Sequence, residues 1–209
     1  MLSIDYISTW LLGITCLFSI SAFNNRQLLS NLMFNAFLIR KNKEYYRFIS
    51  SGFIHANWMH LIFNMIVLFY FGFAVESYFM QLFEGSLTGK IAFGLMYISG
   101  MIAADITSYN KHKNNIYYNS LGASGATSAV LFSFILFQPW NMLLIFGIIP
   151  IPAIIFGVLY IWYSNKMSKE SGDNINHEAH LYGAIYGILY TIILQPKVIL
   201  IFINQLLAF

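Results

Sequence analysis

The sequence predicts an all-α integral membrane protein, a bundle of six transmembrane helices forming a single domain over residues 1–209. Three observations lead there. The chain is 58% hydrophobic and 9% charged, whereas a soluble domain carries about 25% charged residues; too few polar side chains exist to coat a globule. The apolar residues come in continuous runs rather than in the alternation of a transmembrane barrel. Six of those runs approach the ~20 residues a helix needs to cross a hydrocarbon core of about 30 Å.

The first run, Tyr6–Phe23, follows a single ionisable residue, Asp5, and lacks the basic leader of a secretory signal, so a retained helix is expected. The second and third are Gly52–Phe79 and Lys90–Ser108. The fourth, Ala123–Phe137, is short but extends from Leu121 to Pro139. Pro139 marks the turn into the fifth, Met142–Tyr163, which Pro150 and Pro152 are expected to kink. The sixth is Ala179–Leu194. Beyond Pro196, Val198–Phe209 is too short to cross and reads as an interfacial segment or a continuing helix.

Two loops stand out. Residues 24–51 mix Leu, Met, Phe and Tyr with Arg26, Arg40, Lys41, Lys43, Glu44 and Arg47, the composition of a segment lying in the membrane interface. Residues 164–176 are the most polar stretch and read as a mobile loop before the last helix. The net charge of +3 is small and spread over short loops, which argues against nucleic-acid binding. Cys16 is the only cysteine, so no internal disulfide can form.

Polar side chains at membrane depth are costly and therefore candidates for function. Ser124, in Gly122-Ala123-Ser124-Gly125-Ala126, starts the fourth helix, where unpaired amides and the dipole favour a developing anion. His180 opens the sixth. Gly183 and Gly187 follow it at helical spacing, as Ser128 follows Ser124, and small faces let two backbones approach closely enough for a Ser–His hydrogen bond. His60 and Asn64, four apart, share one face of the second helix and can both donate to an oxyanion. A polar pair that merely stitches helices has the same spacing, and His55 reads as structural or interfacial.

Other chemistries fit less well. Ala126 replaces the final glycine of a nucleophile elbow, so an α/β-hydrolase is unsupported. His177-Glu178-Ala179-His180 is one residue short of the His-Glu-x-x-His zinc motif. A haem held by His55 or His60 with His177 or His180, or a small transporter, leaves Ser124 and Asn64 unused. No metal or cofactor is expected.

Taken together, His55-x4-His60-x3-Asn64, Gly122-Ala123-Ser124-Gly125 and Ala179-His180-x2-Gly183-x3-Gly187 resemble the rhomboid intramembrane serine proteases. Tyr46-Arg47, Gly72-x-Ala74-Val75-Glu76 and Tyr97-x-Ser99-Gly100 add lesser echoes in the same order. The resemblance implies a six-helix rhomboid bundle with a water-filled cavity, and transmembrane proteins as substrates. It implies Ser124 as nucleophile and His180 as base and acid, with His60, Asn64 and the Ser124 amide as oxyanion donors. Arg47 would brace the interfacial loop and Glu76 the end of the second helix, and the unit would be a dyad without a carboxylate. The family usually places a tyrosine four residues after the serine, packed on the histidine; here that position is Ser128. A catalytically inactive rhomboid-like protein that binds membrane clients is the alternative.

Arg26, Arg40, Lys41, Lys43, Arg47, Lys111, Lys113, Lys166 and Lys169 fall on the loop side bearing the mouth of the site, with Lys90 and Lys197 opposite. The positive-inside rule alone makes that side cytoplasmic. The resemblance implies instead a multi-pass protein of the bacterial inner membrane, opening extracytoplasmically.

Overall fold

The computed structural model describes residues 4–83, 85–145, 147–170 and 175–208. Helix α1 (Ile7–Phe23) starts without a cap from its own side chains. Its first amides are met by Glu76, whose Oε1 accepts from Ile7 N–H at 2.8 Å and whose Oε2 accepts from Ser8 N–H at 2.9 Å. A carboxylate there satisfies unpaired donors and faces the positive end of the helix dipole.

The interfacial segment folds into three short helices, α2 (Arg26–Leu32), α3 (Ala36–Asn42) and α4 (Arg47–Ser50). Asn25 and Asn35 cap the first two by accepting the amides of Leu28 and Leu38, as asparagine before a helix favours. Arg47, 4% exposed, donates Nη1 to the carbonyls of Ser30 at 2.9 Å and Met33 at 2.8 Å, and Nε to Glu44 at 2.5 Å. Those carbonyls end α2, where a cation is favoured.

Asn57 caps α5 (Trp58–Val67) by accepting the His60 amide at 2.9 Å. A π-helical turn, Leu68–Gly72, carries α5 into α6 (Phe73–Leu82). α7 (Ser86–His112) packs back on α6 at Gly89, where any Cβ would overlap the Met80 backbone. Among the described residues, Trp58–Leu82, of 25 residues, and Ser86–His112, of 27, are each long and apolar enough to cross a membrane.

α8 (Ser124–Phe137) is the central helix: every residue from Gly125 to Phe137 is buried. That explains a run apolar on all sides, since a helix enclosed by protein has no face to offer water. Helices α7, α10 (His177–Leu194) and α11 (Val198–Leu207) pack around it with the π-helical turn. α10 and α11 are long and apolar enough to cross a membrane only when taken together, and they are bent by 112° between them, at the break containing Pro196. The proline removes an amide and stops α10; the last stretch does not continue that helix but forms a separate one, turned away from it. Phe209 lies outside the described residues.

Three expectations need correction. The fold is not purely α: Met142–Ile145 and Ile149–Pro152 form an antiparallel hairpin, β1 and β2, pairing Met142 with Pro152 and Ile145 with Ile149. Pro150 and Pro152 therefore do not kink a fifth helix; they end any helix before it forms, because two residues of three lack the amide and fixed φ excludes the continuation. Gly147, at φ 74°, supplies the left-handed residue of the turn. α9 begins only after Pro152, at Ala153, and continues to Met167. The polar loop is accordingly shorter than 164–176, since the helical hydrogen-bond ladder carries α9 past a buried Ser164 to Met167; residues 171–174 of it lie outside the described residues.

Candidate active site

Ser124 is the first residue of α8 and half-buried. The loop before it is held from three directions. Phe34 and Ser120 exchange backbone hydrogen bonds of 2.9 and 3.1 Å, and Gly122 N–H donates to the Ser51 carbonyl at 2.9 Å, so the interfacial segment fixes the approach to the helix. The third tether is His55, whose Nε2 accepts from Ala123 N–H at 3.2 Å.

That bond fixes the His55 tautomer. Nε2 faces a donor, so the proton resides on Nδ1, which donates to Ser19 Oγ at 2.9 Å; Ser19 in turn donates to the Phe53 carbonyl at 3.0 Å. His55 is fully buried and neutral in this arrangement. A second proton on the ring would confront the Ala123 amide.

His60 lies edge-on to His55, with ring centroids 4.8 Å apart. Its ring occupies the space beside Gly122, where a Cβ would fall 2.5 Å from Cε1 and 2.7 Å from Nε2. Gly122 also has φ 120°, so both backbone and space demand glycine. Asn64 is buried one turn further along α5. Its Oδ1 accepts from Thr127 Oγ1 at 2.9 Å, and its Nδ2 donates to the His60 carbonyl at 2.9 Å. An amide nitrogen carries two hydrogens, so one donor remains.

His180 stands in the first turns of α10, which Asn176 caps by accepting the Ala179 amide at 3.1 Å. Asn176 Nδ2 also donates to Asp105 Oδ1 and to Ser108 Oγ of α7, each at 3.3 Å, so the cap residue ties α10 to its neighbour. α10 meets α8 along two glycines: a Cβ at Gly183 would overlap the Gly125 carbonyl, and one at Gly187 the Ala129 carbonyl. Gly125 itself lies against Ala104 so closely that a Cβ would overlap it. Gly183 is three residues past His180 and Gly125 one past Ser124. The crossing thus sets the turns bearing those two side chains against each other.

A cavity of about 20 Å³ opens beside Ser124, between Asp105, Ser120, Gly122 and Asn176. It has room for about one water molecule. Among the described residues, no three His, Cys, Asp or Glu side chains gather as a metal set. Arg47 lies with the interfacial helices and Glu76 at the start of α1, neither lining this cavity.

Sequence reasoning missed Asp105, Asn176, Thr127, Ser19 and Tyr160. Asp105 carried a signal, as the sole acid of the third apolar run. So did Asn176, an asparagine opening an apolar helix. Thr127 and Ser19 matter only through partners far along the chain. Tyr160 stacks on His180, with centroids 6.0 Å apart and planes at 25°, and nothing in its local sequence marks it.

With this geometry in view, the comparisons agree with one another. A family model described as "Rhomboid domain" matches residues 42–197. The chain is similar to RHOMBOID-like protein 12, mitochondrial, of Arabidopsis thaliana, at 27% identity over 78% of this chain and 50% of that one. It is similar to Rhomboid-like protein 11, chloroplastic, of the same plant, at 28% identity over 69% of this chain and 51% of the other. Rhomboid protein 1, mitochondrial, of Saccharomyces cerevisiae is 30% identical over 68% of this chain and 40% of its own length. The chain spans about half the length of these curated relatives. Their names place those proteins in mitochondria and a chloroplast, so they lend no support to the bacterial inner membrane that the resemblance implied. The matched region contains the loop before Ser124, both glycine contacts and His180, and the chain belongs to the rhomboid family.

Proposed function

We propose that the chain is an intramembrane serine endopeptidase that cleaves transmembrane protein substrates through a Ser124–His180 dyad. One observation carries the reading: the Gly125–Gly183 approach, which presses the serine-bearing end of α8 against the histidine-bearing end of α10. His180 would take the Ser124 proton as Oγ attacks the substrate carbonyl. The oxyanion would be met by the Ser124 amide at the helix start, the His60 ring and the remaining Asn64 donor. His180 would give the serine proton to the leaving amine as the peptide C–N bond breaks and the acyl-enzyme forms. Water reaching the cavity beside Ser124 would then attack the ester, losing a proton to His180, which would return it to Ser124 Oγ as the acyl group leaves.

In this reading the whole chain is one membrane domain of six spans: α1, α5–α6, α7, α8, α9 and α10. α8 is short for the task, roughly 21 Å at 1.5 Å per residue, but a helix surrounded by others need not match the bilayer alone. Substrates would be helices that unwind readily, since a helical peptide bond is shielded by its own ladder. The mouth of the site, by the family resemblance, opens away from the cytoplasm; protease access to tags on both termini tests that directly.

A second reading, a non-catalytic rhomboid-like protein that binds membrane clients, draws on Asn64, whose carboxamide is turned toward Thr127 and the His60 carbonyl. The deciding experiment exposes the purified protein to a serine-reactive fluorophosphonate and to a panel of transmembrane substrates. Labelling and cleavage by wild type, both lost in Ser124→Ala and His180→Ala, support the protease. Cleavage that survives Ser124→Ala removes the nucleophile assigned here.

A further inference from the structure

Tyr160 joins the two catalytic helices from a third. It lies on α9, on the side away from the exposed Val158 and Trp162. Its hydroxyl meets Ser128 Oγ at 2.6 Å. Its ring lies nearly parallel to the His180 imidazole, centroids 6.0 Å apart and planes at 25°. Ser128 is buried, and it sits four residues past Ser124 on the same face of α8.

The rest of α9 is arranged to allow that reach. Gly157, three residues before Tyr160, lies where a Cβ would come within 2.9 Å of Ile135 on α8. Its missing side chain lets α9 approach closely enough for one phenol to touch both neighbours. Phe132 and Phe156 flank the Tyr160 ring at 5.6 and 5.8 Å, so the ring is held on more than one side.

We propose that Tyr160 is the positioning residue for the His180 imidazole, tethered through its hydroxyl to Ser128; this rests on the Ser124–His180 reading. The physical need is specific. The terminal torsion of a histidine is broad, not confined to staggered wells. A general base must nevertheless hold its nitrogen within ~3 Å of the proton it removes. An offset-stacked aromatic limits rotation of the imidazole while leaving its edge, where both nitrogens lie, available. The Ser128 bond fixes where the phenol sits, and thereby relates the imidazole plane to the helix that carries the nucleophile. Tyr160 does not itself touch substrate in this role.

The test uses the full chain in lipid nanodiscs, with Tyr160→Leu, Tyr160→Phe, Ser128→Ala and the double variant Ser128→Ala/Tyr160→Phe. Three readouts are taken: kcat and KM on a transmembrane substrate, the fluorophosphonate labelling rate of Ser124, and the His180 ring resonances by NMR. Tyr160→Leu should lower kcat and labelling by about 10- to 100-fold, the scale of a 1 Å misplacement, with KM within about twofold and a displaced His180 ring signal. Tyr160→Phe keeps the stack and should recover most of that loss. The two single hydroxyl deletions should match each other, and the double variant should be no worse than either.

Wild-type kcat and an unmoved His180 signal in Tyr160→Leu would overturn the proposal, as would additive losses in the double variant. If Tyr160→Leu fails to fold, the two hydroxyl deletions and their double variant decide the matter. A wild type that neither labels nor cleaves defeats the protease reading; the His180 resonances then decide Tyr160 by themselves, moved in Tyr160→Leu and retained in Tyr160→Phe, or unmoved in both.

Discussion

Glu76 grips Ser8 twice, accepting from its backbone amide at 2.9 Å and from its hydroxyl at 2.7 Å, with the carboxylate wholly buried. The acid thus holds the start of α1 from the end of the second helical stretch, 68 residues away in sequence. Hydrogen bonds to a charged group contribute about 1.5–3 kcal/mol each. Glu76→Ala is expected to lower the thermal unfolding midpoint in detergent substantially, and Glu76→Gln less. Both should leave fluorophosphonate labelling per folded molecule near wild type, because the cap is remote from Ser124. An unchanged midpoint in Glu76→Ala would remove the cap from the account of stability.

The segment around Arg47 should loosen in acid. The Asn42 hydrogen bond first, then that from Arg47, hold the Glu44 carboxyl below its ordinary value. A depressed carboxyl stabilises the fold above its unfolded value of about 4.3, and that contribution disappears as pH falls through the folded value. Limited proteolysis between Asn24 and Ser51 should therefore accelerate as pH drops below about 4.3 in wild type. Glu44→Gln should cleave faster at neutral pH and show a flatter dependence. Arg47→Lys should resemble it, since an ammonium cannot span the Ser30, Met33 and Glu44 acceptors as a planar fork does.

His55→Ala leaves the Ala123 amide buried without its acceptor. The expected cost is about 1–3 kcal/mol, seen as a lower unfolding midpoint. Labelling of Ser124 should also slow, because the loop that aims the serine loses one of its three ties. His55→Ala with wild-type labelling and wild-type stability would show that the tie at Ala123 contributes nothing.

The glycines are not equivalent. Gly183→Ala and Gly187→Ala must push α10 off α8, since the new methyl would enter a carbonyl of the facing helix. Labelling of Ser124 should fall at least about 100-fold for Gly183→Ala, the closer of the two to Ser124 and His180 in sequence and contact. Gly13→Ala is the control: nothing lies within 4 Å of a Cβ there, and a helical alanine should leave labelling unchanged while stabilising α1 by about 0.5–1 kcal/mol. Parallel labelling time courses on the three variants check the contrast.

Local chemistry made much of this legible in advance. Asn57 and Asn176 cap α5 and α10, because a short carboxamide competes for the first amides of a helix, but hydropathy runs that begin at Gly52 and Ala179 pass over that signal. Ser124, His60, Asn64 and His180 stand out because hydrocarbon makes their presence expensive. The hairpin at Met142–Pro152 was hidden because hydropathy counts apolar residues without asking whether each has an amide to give, and its two prolines were read as kinks. Ser128 was legible as a small residue on the serine face, but its use as an anchor for a phenol 32 residues away was not.

By itself, then, the sequence determined the medium and the parts: a membrane for its long apolar helices, helices for most of its length, and a handful of polar groups that are costly in hydrocarbon. Which of those groups meet was decided by tertiary packing. Glycine contacts between α8 and α10, the reach of Glu76 to α1, the clasp of His55 on Ala123 and the lean of Tyr160 over His180 all join residues remote along the chain. The reason is physical: solvation and capping act through a residue's immediate surroundings and leave a trace in local composition, whereas a contact between helices depends on the relative placement of two rigid rods, which no local window records.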